Sequence, residues 1–356
     1  MSTWPTEIEW LRELVGTPSV SGTEEEIARL AEAQARAWGL DVVRDDASVT
    51  IAVGAARPGP TLAFVSHLDV VPPGHGWTRE PFTPAIDGDR LYGRGSGDAK
   101  ASVSSMMTAA KDLHDRGGPG RGRLLVILGY GEETRHTSMP VALSRVGAVD
   151  AAVVGEPTNL EFAVAQRGLM MVDLVAHGNQ RHAGYASEGD FSNAVTELAR
   201  ALVTLDDLFR ERRHPVLGLT TATPTMIEGG ISRNVTPPVA KAVLDIRSTP
   251  DWTHEELGEI LRRALDVEVV VTSERLVPCE TPADSRLLAV AGALRPAARR
   301  FGSPTCSDWV FLRDRDAIKC GPGTSRRSHT ADEYVDLPEV TEARHFYRQL
   351  AESYLA

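Results

Sequence analysis

The 356-residue chain lacks several features that mark the more specialised classes of protein. Its three cysteines, Cys279, Cys306 and Cys320, are scattered and show no CxxC spacing, which disfavours a disulfide framework and a thiolate metal site. Lysine and arginine number 38 against 49 aspartates and glutamates, so the formal net charge is -11. Because nucleic-acid-binding proteins usually carry a basic excess, we expect no nucleic-acid partner.

Long apolar runs are missing as well. No segment has the length of apolar residues that a bilayer requires, and MSTWPTEIEW has neither the basic nor the apolar part of a secretory signal. The chain also has no internal repeat and no low-complexity tract. The sequence therefore predicts a globular cytoplasmic protein with reduced thiols and no membrane partner.

Short apolar runs alternate with helical patterns along the first half of the chain. The runs TLAFVSHLDVV (61–71), RLLVILGYG (123–131) and DAAVVGEP (150–157) have the continuous apolar character of strands that are buried on both faces. Helical spacing begins at about Ala101, between the first two runs, and returns in MPVALSRVG (139–147). This order predicts an α/β domain with a mainly parallel sheet.

The pattern changes after Gly168. Between residues 169 and 277, alternating strands and two helical segments follow one another in the order βαββαβ, which is typical of a ferredoxin-like α+β domain. The helical and strand pattern of the first domain resumes at residue 278. We therefore predict one α/β domain formed by residues 1–168 and 278–356, interrupted by an inserted smaller domain of residues 169–277.

Acidic and imidazole groups recur at the ends of the predicted strands and in the adjoining loops. This set comprises His67, Asp69, Asp98, Glu132, Glu133, Glu156 and His329. The carboxyl ends of strands in open α/β sheets are where ligands bind, so we expect these side chains to converge on one crevice. Carboxylates that lie close together repel each other, and a divalent cation removes that cost. Mixed histidine and carboxylate ligands suit zinc or a similar metal.

Each member of this set also has a structural explanation when it is taken alone. Asp98 follows glycines and could be a turn residue, Glu132 and Glu133 could be charges at a helix N-terminus, and His329 could lie in an ordinary loop. Five such coincidences at five strand or loop ends favour a functional site over five separate structural roles.

Seven motifs together resemble a known family of enzymes. They are SHLDVVP, YGRGSGDAKAS, GEE, VGEPT, GNQRHAG, RNVTPPVAKAVLDIR and GPGTSRRSHTADEYV, which are spread from residue 66 to residue 335. The combination is similar to the dinuclear zinc amidohydrolases and peptidases that include acetylornithine deacetylase, succinyl-diaminopimelate desuccinylase, aminoacylase and carboxypeptidase G. This resemblance implies a zinc-peptidase-like catalytic domain with the inserted ferredoxin-like domain.

The resemblance also implies two divalent metal ions, with zinc as the first choice and cobalt as an alternative. His67 and Glu156 would bind one ion. Glu133 and His329 would bind the other, and Asp98 would bridge the two.

Two further residues of the set would act beside the metals. Asp69 lies two residues after His67, so both side chains point to the same face of a strand, and Asp69 would hydrogen-bond the imidazole. Glu132 would be the general base that takes a proton from the attacking water and returns it to the leaving amine.

The inserted domain carries three candidates through the same resemblance. His182 resembles the family histidine that stabilises the tetrahedral oxyanion, at a site that belongs to the partner subunit in dimeric members. Asn234 and Arg247 resemble contacts to a substrate carboxylate, which a planar guanidinium pairs with in a bidentate manner. The alternatives are a surface-loop histidine for His182 and an ion pair on the sheet for Arg247.

The chain departs from the family pattern at a few positions. Ser66 stands where glycine is usual, Gly131 stands where aspartate is usual, and DAKAS replaces the commoner Asp-Met-Lys-Gly, but no ligand and no base is lost. His75, His114 and His136 fit no ligand position, and we predict that they are exposed.

The motifs SPTCSDWVF and GPGTSRRSHTADEYV are most similar to the acetylornithine deacetylase-like and acyl-lysine hydrolase branch. We therefore predict hydrolysis of the amide bond of an N-acyl amino acid, N-acetylornithine first, in arginine or lysine biosynthesis. The alternatives are a succinyl-diaminopimelate desuccinylase, a dipeptidase or carboxypeptidase, and a hydrolase of carrier-protein-linked lysine or ornithine. A non-catalytic binding protein is disfavoured because Glu132 is retained. The expected partners are the small-molecule substrate and a second copy of the chain, paired through the inserted domain.

Overall fold

The computed structural model describes residues 4–54, 58–188 and 191–356. Contacts between Cα atoms divide the chain into two compact units. Unit 1 contains Met1–Val164, Thr281–Arg300 and Ser307–Ala356, and unit 2 contains Ala165–Glu280 and Phe301–Cys306. The predicted insertion, residues 169–277, falls inside unit 2. Unit 2 also includes residues 165–168, 278–280 and 301–306, which the prediction assigned to the other domain.

The helices and strands are numbered in chain order. The α-helices are α1 (Thr6–Gly16), α2 (Glu25–Ala37), α3 (Lys100–Asp115), α4 (Ser138–Val146), α5 (Ala194–Leu208), α6 (His254–Ala264), α7 (Arg286–Leu294) and α8 (Leu337–Tyr354), with 3₁₀ turns at Ala183–Tyr185 and Asp308–Leu312. The strands are β1 (Asp41–Arg44), β2 (Ser48–Val53), β3 (Thr61–His67), β4 (Ala85–Asp87), β5 (Arg90–Tyr92), β6 (Arg123–Gly129), β7 (Ala151–Val154), β8 (Phe162–Gln166), β9 (Gly168–His177), β10 (Arg213–His214), β11 (Gly218–Leu219), β12 (Thr221–Gly229), β13 (Val239–Ser248), β14 (Glu268–Leu276), β15 (Cys279–Glu280), β16 (Arg300–Ser303), β17 (Asp316–Lys319) and β18 (Tyr334–Asp336).

The large sheet of unit 1 confirms the predicted α/β fold but is mixed rather than mainly parallel. Its strands follow the order β1-β2-β6-β3-β7-β17-β8. The central strands β6, β3, β7 and β17 run parallel, whereas the β1–β2, β2–β6 and β17–β8 pairs are antiparallel. The connection from Arg44 to Ser48 is too short for a crossover, so β1 and β2 pair antiparallel, as a short hairpin must.

Strand β3 and helix α3 both lie in the core of unit 1. All seven residues of β3 are buried, as the continuous apolar run predicts. Helix α3 is rich in alanine and serine and is buried along most of its length, between α1, α8 and the sheet. Its small side chains let the neighbouring elements approach closely.

A small three-stranded sheet brings two distant loops together. Strand β5 pairs antiparallel with β18, with Tyr92 opposite Tyr334, and β4 pairs with β5 on the other side. Residues 93–99 follow β5, and residues 320–333 precede β18. The pairing therefore sets the glycine-rich loop of Asp98 beside the loop of His329.

Unit 2 contains a four-stranded antiparallel sheet in the order β12-β13-β9-β14. Along the chain, this sheet and its two helices follow the order β9-α5-β12-β13-α6-β14, which is the predicted βαββαβ order. The two-residue strands β10 and β11 form a separate antiparallel pair between α5 and β12. Burial alternates along β9 and β13, and the buried face packs with α5 and α6 into one apolar core. Strands β12 and β14 are the edges of this sheet. Across the described parts of the chain, we find no helix with the length and apolarity of a membrane span.

Candidate functional site

Strand β3 delivers the first two site residues. His67 is its last residue, and Asp69 follows two positions later. Nδ1 of His67 lies 3.0 Å from the carbonyl oxygen of Asp69 and 3.5 Å from its carboxylate oxygen Oδ1. Both side chains are fully buried, so this contact fixes the orientation of the imidazole and leaves Nε2 facing Asp98 and Glu156.

Asp69 also holds the turn that carries the two neighbouring glutamates. Its carboxylate accepts hydrogen bonds from the backbone N–H of Glu132 (3.0 Å), the backbone N–H of Glu133 (3.1 Å) and the hydroxyl of Ser21 (2.7 Å). Burial raises the pKa of Asp69, but the hydrogen bond and charge of His67, with these donors, lower it to about 2. The sequence pattern predicted only the contact with the imidazole.

A buried glutamate that the sequence analysis missed organises the Asp98 loop. The carboxylate of Glu333 accepts the backbone N–H groups of Gly95, Gly97 and Asp98 at 2.9–3.0 Å. It also pairs with the guanidinium of Arg94 at 2.6 Å, with both side chains almost fully buried. Nothing in the sequence separates Glu333 from a surface glutamate, because its partners lie more than 230 residues away along the chain.

Five side chains converge at the strand ends, in two sets that share Asp98. Nε2 of His67 lies 3.6 Å from Oδ1 of Asp98 and 3.7 Å from Oε1 of Glu156. Nε2 of His329 lies 3.0 Å from Oε1 of Glu133 and 3.7 Å from Oδ2 of Asp98. The two oxygens of Asp98 thus face different histidines.

These residues fit a divalent cation on two observations. Nε2 of His67 is buried and has no hydrogen-bond partner among the described residues, which is costly for a polar atom unless something binds it. Its separations from Asp98 and Glu156 are too long for good hydrogen bonds and close to the ~3.4 Å expected between ligands of one tetrahedral zinc ion. Ligand atoms of His67, Asp98 and Glu133 also lie within 4.8 Å of one another.

The electrostatics of this cluster favour a bound cation as well. Burial and the charge of Asp98 raise the pKa of Glu156 to about 8. Burial opposes charge on His67, but the carboxylates of Asp69 and Asp98 outweigh it and raise its pKa well above the usual range. The crowded carboxylates repel one another in the bare cluster, and a divalent cation relieves that repulsion.

Glu132 lies beside the five-residue cluster and also approaches His136. Its Oε1 lies 3.7 Å from Nδ1 of His136, which in turn lies 3.0 Å from Oδ1 of Asp308. Burial, with the charges of Glu156, Asp308 and Glu133, raises the pKa of Glu132 well above its usual range despite the opposing effect of His67.

The prediction that His136 is exposed is wrong. Only 12% of its side chain is exposed, because the backbone turns back at this residue with a φ of 48°. The turn carries the ring onto Asp308 and Phe311. His75 and His114 are exposed, as predicted.

The three candidates of the inserted segment lie in unit 2. His182 is exposed and forms a β-bridge with Val235, next to Asn234, whose carbonyl accepts the backbone N–H of Ala183. Nδ1 of His182 accepts the N–H of Gly184 at 3.1 Å, so Nε2 remains available.

Arg247 lies in the ion pair on the sheet that the sequence left as the alternative. Its Nε and Nη2 contact the carboxylate of Asp245 at 2.7 and 2.9 Å. Its Nη1 has no hydrogen-bond partner among the described residues, and the backbone carbonyl of Arg247 accepts from Arg167. The ion pair with Asp245 therefore leaves the Nη1 group of the guanidinium available for another partner.

Comparison with known proteins finds relatives along nearly the whole chain. The profile of peptidase family M20/M25/M40 matches residues 63–353. A succinyl-diaminopimelate desuccinylase of Methylorubrum extorquens is 30% identical over 325 residues, which cover 83% of both chains. A protein of the same name from Halorhodospira halophila is 28% identical over 375 residues and 98% of both chains. Among solved structures, an aminopeptidase PepT from Bacillus cereus superposes with a TM-score of 0.82 over 99% of this chain and 98% of that chain at 21% identity, a likeness of fold.

Proposed function

The chain belongs to peptidase family M20/M25/M40 and is a metal-dependent amide-hydrolysing enzyme, and from this premise we propose that it releases an amino acid from an N-acyl amino acid. The observation that carries the proposal is the cluster in which Asp98 faces both His67 and His329, with Glu132 adjacent. The reaction adds water across the amide: the C–N bond breaks, the acyl carbon gains the hydroxyl oxygen, and the nitrogen leaves as an amine.

N-succinyl-diaminopimelate is the first substrate that we propose. The sequence motifs favoured N-acetylornithine, but the relatives that align over most of the chain carry the desuccinylase name. That name applies to those proteins, and at about 30% identity it supports the substrate class more strongly than the individual acyl group. On this proposal the enzyme acts in lysine biosynthesis.

We propose that five residues hold two divalent ions, with zinc favoured by the donor set and cobalt as an alternative. His67 and Glu156 would bind one ion, Glu133 and His329 the other, and Asp98 both. Bound cations of this kind polarise a carbonyl and favour the deprotonation of water.

Glu132 would move the proton in this reaction. Its buried carboxylate would accept the proton of the attacking water and deliver it to the leaving nitrogen. A raised pKa suits this exchange, because the group must hold the proton between the two steps. Asp69 would keep Glu132 in place through its backbone N–H.

Three residues of unit 2 would bind the substrate. His182 would stabilise the oxyanion of the tetrahedral intermediate through Nε2, at the site of a partner subunit. Asn234 and the free Nη1 of Arg247 would bind the substrate carboxylate. The exposure of His182 and Asn234 and the unpaired Nη1 of Arg247 support these roles. Variants of each residue should change the affinity for substrate.

We also propose that two copies of the chain pair through unit 2. Its edge strand β12 exposes Met226 and Ile227, which are 67% and 65% exposed, and helix α5 exposes Val203 at 82%. An unpaired strand edge with adjacent apolar side chains favours pairing with another chain. Light scattering should give a dimer mass for the wild type and a monomer mass for Met226→Asp. A monomeric wild type would reject the dimer.

The substrate proposal is tested with the zinc-loaded protein and a panel of N-succinyl-diaminopimelate, N-acetylornithine, N-acetyl-lysine and dipeptides. We expect amine release to be fastest from the succinyl substrate. Faster amine release from N-acetylornithine would indicate a deacetylase, and cleavage of dipeptides alone would indicate a peptidase. If protein with two bound ions released no amine from any of these, the proposed function would be wrong.

A further inference from the structure

A histidine and an aspartate form a buried pair beside Glu132. Nδ1 of His136 lies between two carboxylates, 3.0 Å from Asp308 Oδ1 and 3.7 Å from Glu132 Oε1. The side chains are 12%, 4% and 8% exposed, so solvent screens the contact poorly. No residue of the described chain makes a hydrogen bond to the carboxylate of Glu132, and among the described residues His136 is its one basic neighbour at ion-pair distance.

The fold holds His136 in this place from two sides. The N–H groups of Arg135 and His136 both bond the carbonyl of Gly131, which closes a tight turn directly after β6. His136 has a left-handed φ of 48°, a backbone conformation that is sterically unfavourable for a residue with a Cβ atom. Such a conformation persists where contacts with the surrounding structure hold it. Those surroundings are the carboxylate of Asp308 and the ring of Phe311, whose centroid is 6.4 Å from that of the imidazole.

We propose that His136, oriented by Asp308, is a positioning residue for Glu132. Because Nδ1 of His136 pairs with Asp308 at 3.0 Å, its 3.7 Å approach to Oε1 of Glu132 is a close polar contact rather than a hydrogen bond. This contact restricts rotation of the Glu132 carboxylate and leaves Oε2 to exchange protons with the attacking water and the leaving nitrogen. This inference rests on the proposed role of Glu132 as the general base. A base must lie within about 3 Å of the proton that it takes, and a displacement of about 1 Å can cost about a hundredfold in rate. A carboxylate with no other fixed partner therefore needs such a contact.

A cation bound by these three groups is the competing explanation, because their ligand atoms lie within 4.8 Å of one another. The 3.0 Å separation of His136 and Asp308 is that of an ordinary hydrogen bond, which already satisfies both atoms. If His136 and Asp308 position Glu132, the protein should bind two metal ions per chain. If Glu132, His136 and Asp308 are metal ligands, it should bind a third ion.

Kinetics of four variants separate these explanations. In His136→Ala we expect kcat to fall about tenfold to a hundredfold with KM within about twofold, because the loss affects the proton transfer and not binding. His136→Asn keeps a donor near Nδ1 and should recover most of kcat. Adding Asp308→Asn to His136→Ala should cost little more, since the two residues act as one unit. His114→Ala, at an exposed histidine, is the matched control and should behave as the wild type.

Crystal structures of the metal-loaded wild type and His136→Ala give a readout that does not depend on the substrate. We expect one orientation of the Glu132 carboxylate in the wild type and several in the variant, with the same metal content in both. This result would stand even if no amide in the panel were cleaved, so the two proposals fail separately. An ordered Glu132 in the variant, an unchanged kcat, or a third metal ion that is lost with His136 would overturn the inference.

Discussion

Replacing Asp69 with asparagine tests how the centre is held together. The carboxylate accepts one hydrogen bond on Oδ1 from the N–H of Glu132, and two on Oδ2 from the N–H of Glu133 and the hydroxyl of Ser21. An asparagine offers one acceptor oxygen, so its NH₂ group must face at least one of these donors or the imidazole of His67. Each lost bond to a buried charged acceptor costs about 1.5–3 kcal/mol.

The pKa of Asp69 gives a second measure of the same effect. Its decrease from 3.8 to about 2 corresponds to about 2.4 kcal/mol, at ~1.36 kcal/mol per pKa unit. We therefore expect Asp69→Asn to lower the free energy of unfolding by about 2–3 kcal/mol. Loss of a group that orients a metal ligand typically costs about 10–100-fold in activity, so kcat/KM should fall by that factor.

Urea unfolding of the metal-free proteins and steady-state kinetics of the zinc-loaded proteins provide the assay. Because the folded pKa is depressed, the stabilisation is complete above about pH 4 and is lost as the pH falls through about 2. The difference in unfolding free energy between wild type and Asp69→Asn should shrink over that range. Asp69→Asn with wild-type stability at pH 7 and wild-type kcat/KM would refute this reasoning.

Three further variants address the metal cluster, the Asp98 loop and the substrate carboxylate. His67→Ala should retain at most one of two metal ions by elemental analysis, whereas Asp69→Asn should retain both. Glu333→Gln removes a buried charge that accepts four hydrogen bonds, one from Arg94, and should destabilise the fold by about 3–5 kcal/mol in urea unfolding. Arg247→Ala should raise KM about tenfold or more with little change in kcat, because it removes a contact that binds the ground state and the transition state equally. A fall in kcat with an unchanged KM would contradict a role of Arg247 in substrate binding.

The sequence predicted the parts of this site that follow from strand geometry. An apolar run that ends in His67 and Asp69 predicts both a buried strand and two side chains on one face, and both are observed. The order of the elements likewise predicted the α/β fold and the βαββαβ order of unit 2. The parallel core strands bring Glu133, Glu156 and the end of β3 to the same edge of the sheet.

The remaining features depend on contacts between distant segments. Glu333 reaches the Asp98 loop only because β5 and β18 pair, and no local pattern encodes that pairing. His136 is buried because a left-handed turn folds it onto Asp308, 172 positions away. The antiparallel pairing of β1 with β2 follows from the short connection between them, which the apolar runs did not convey.

Glu132→Gln provides the most direct test of the central claim, that Glu132 moves the proton beside a two-metal cluster. The zinc content and the rate of amine release from N-succinyl-diaminopimelate are measured for this variant and the wild type together. We predict two ions per chain in both proteins and amine release by the wild type alone. Full activity of Glu132→Gln, or loss of its metal together with its activity, would contradict the account.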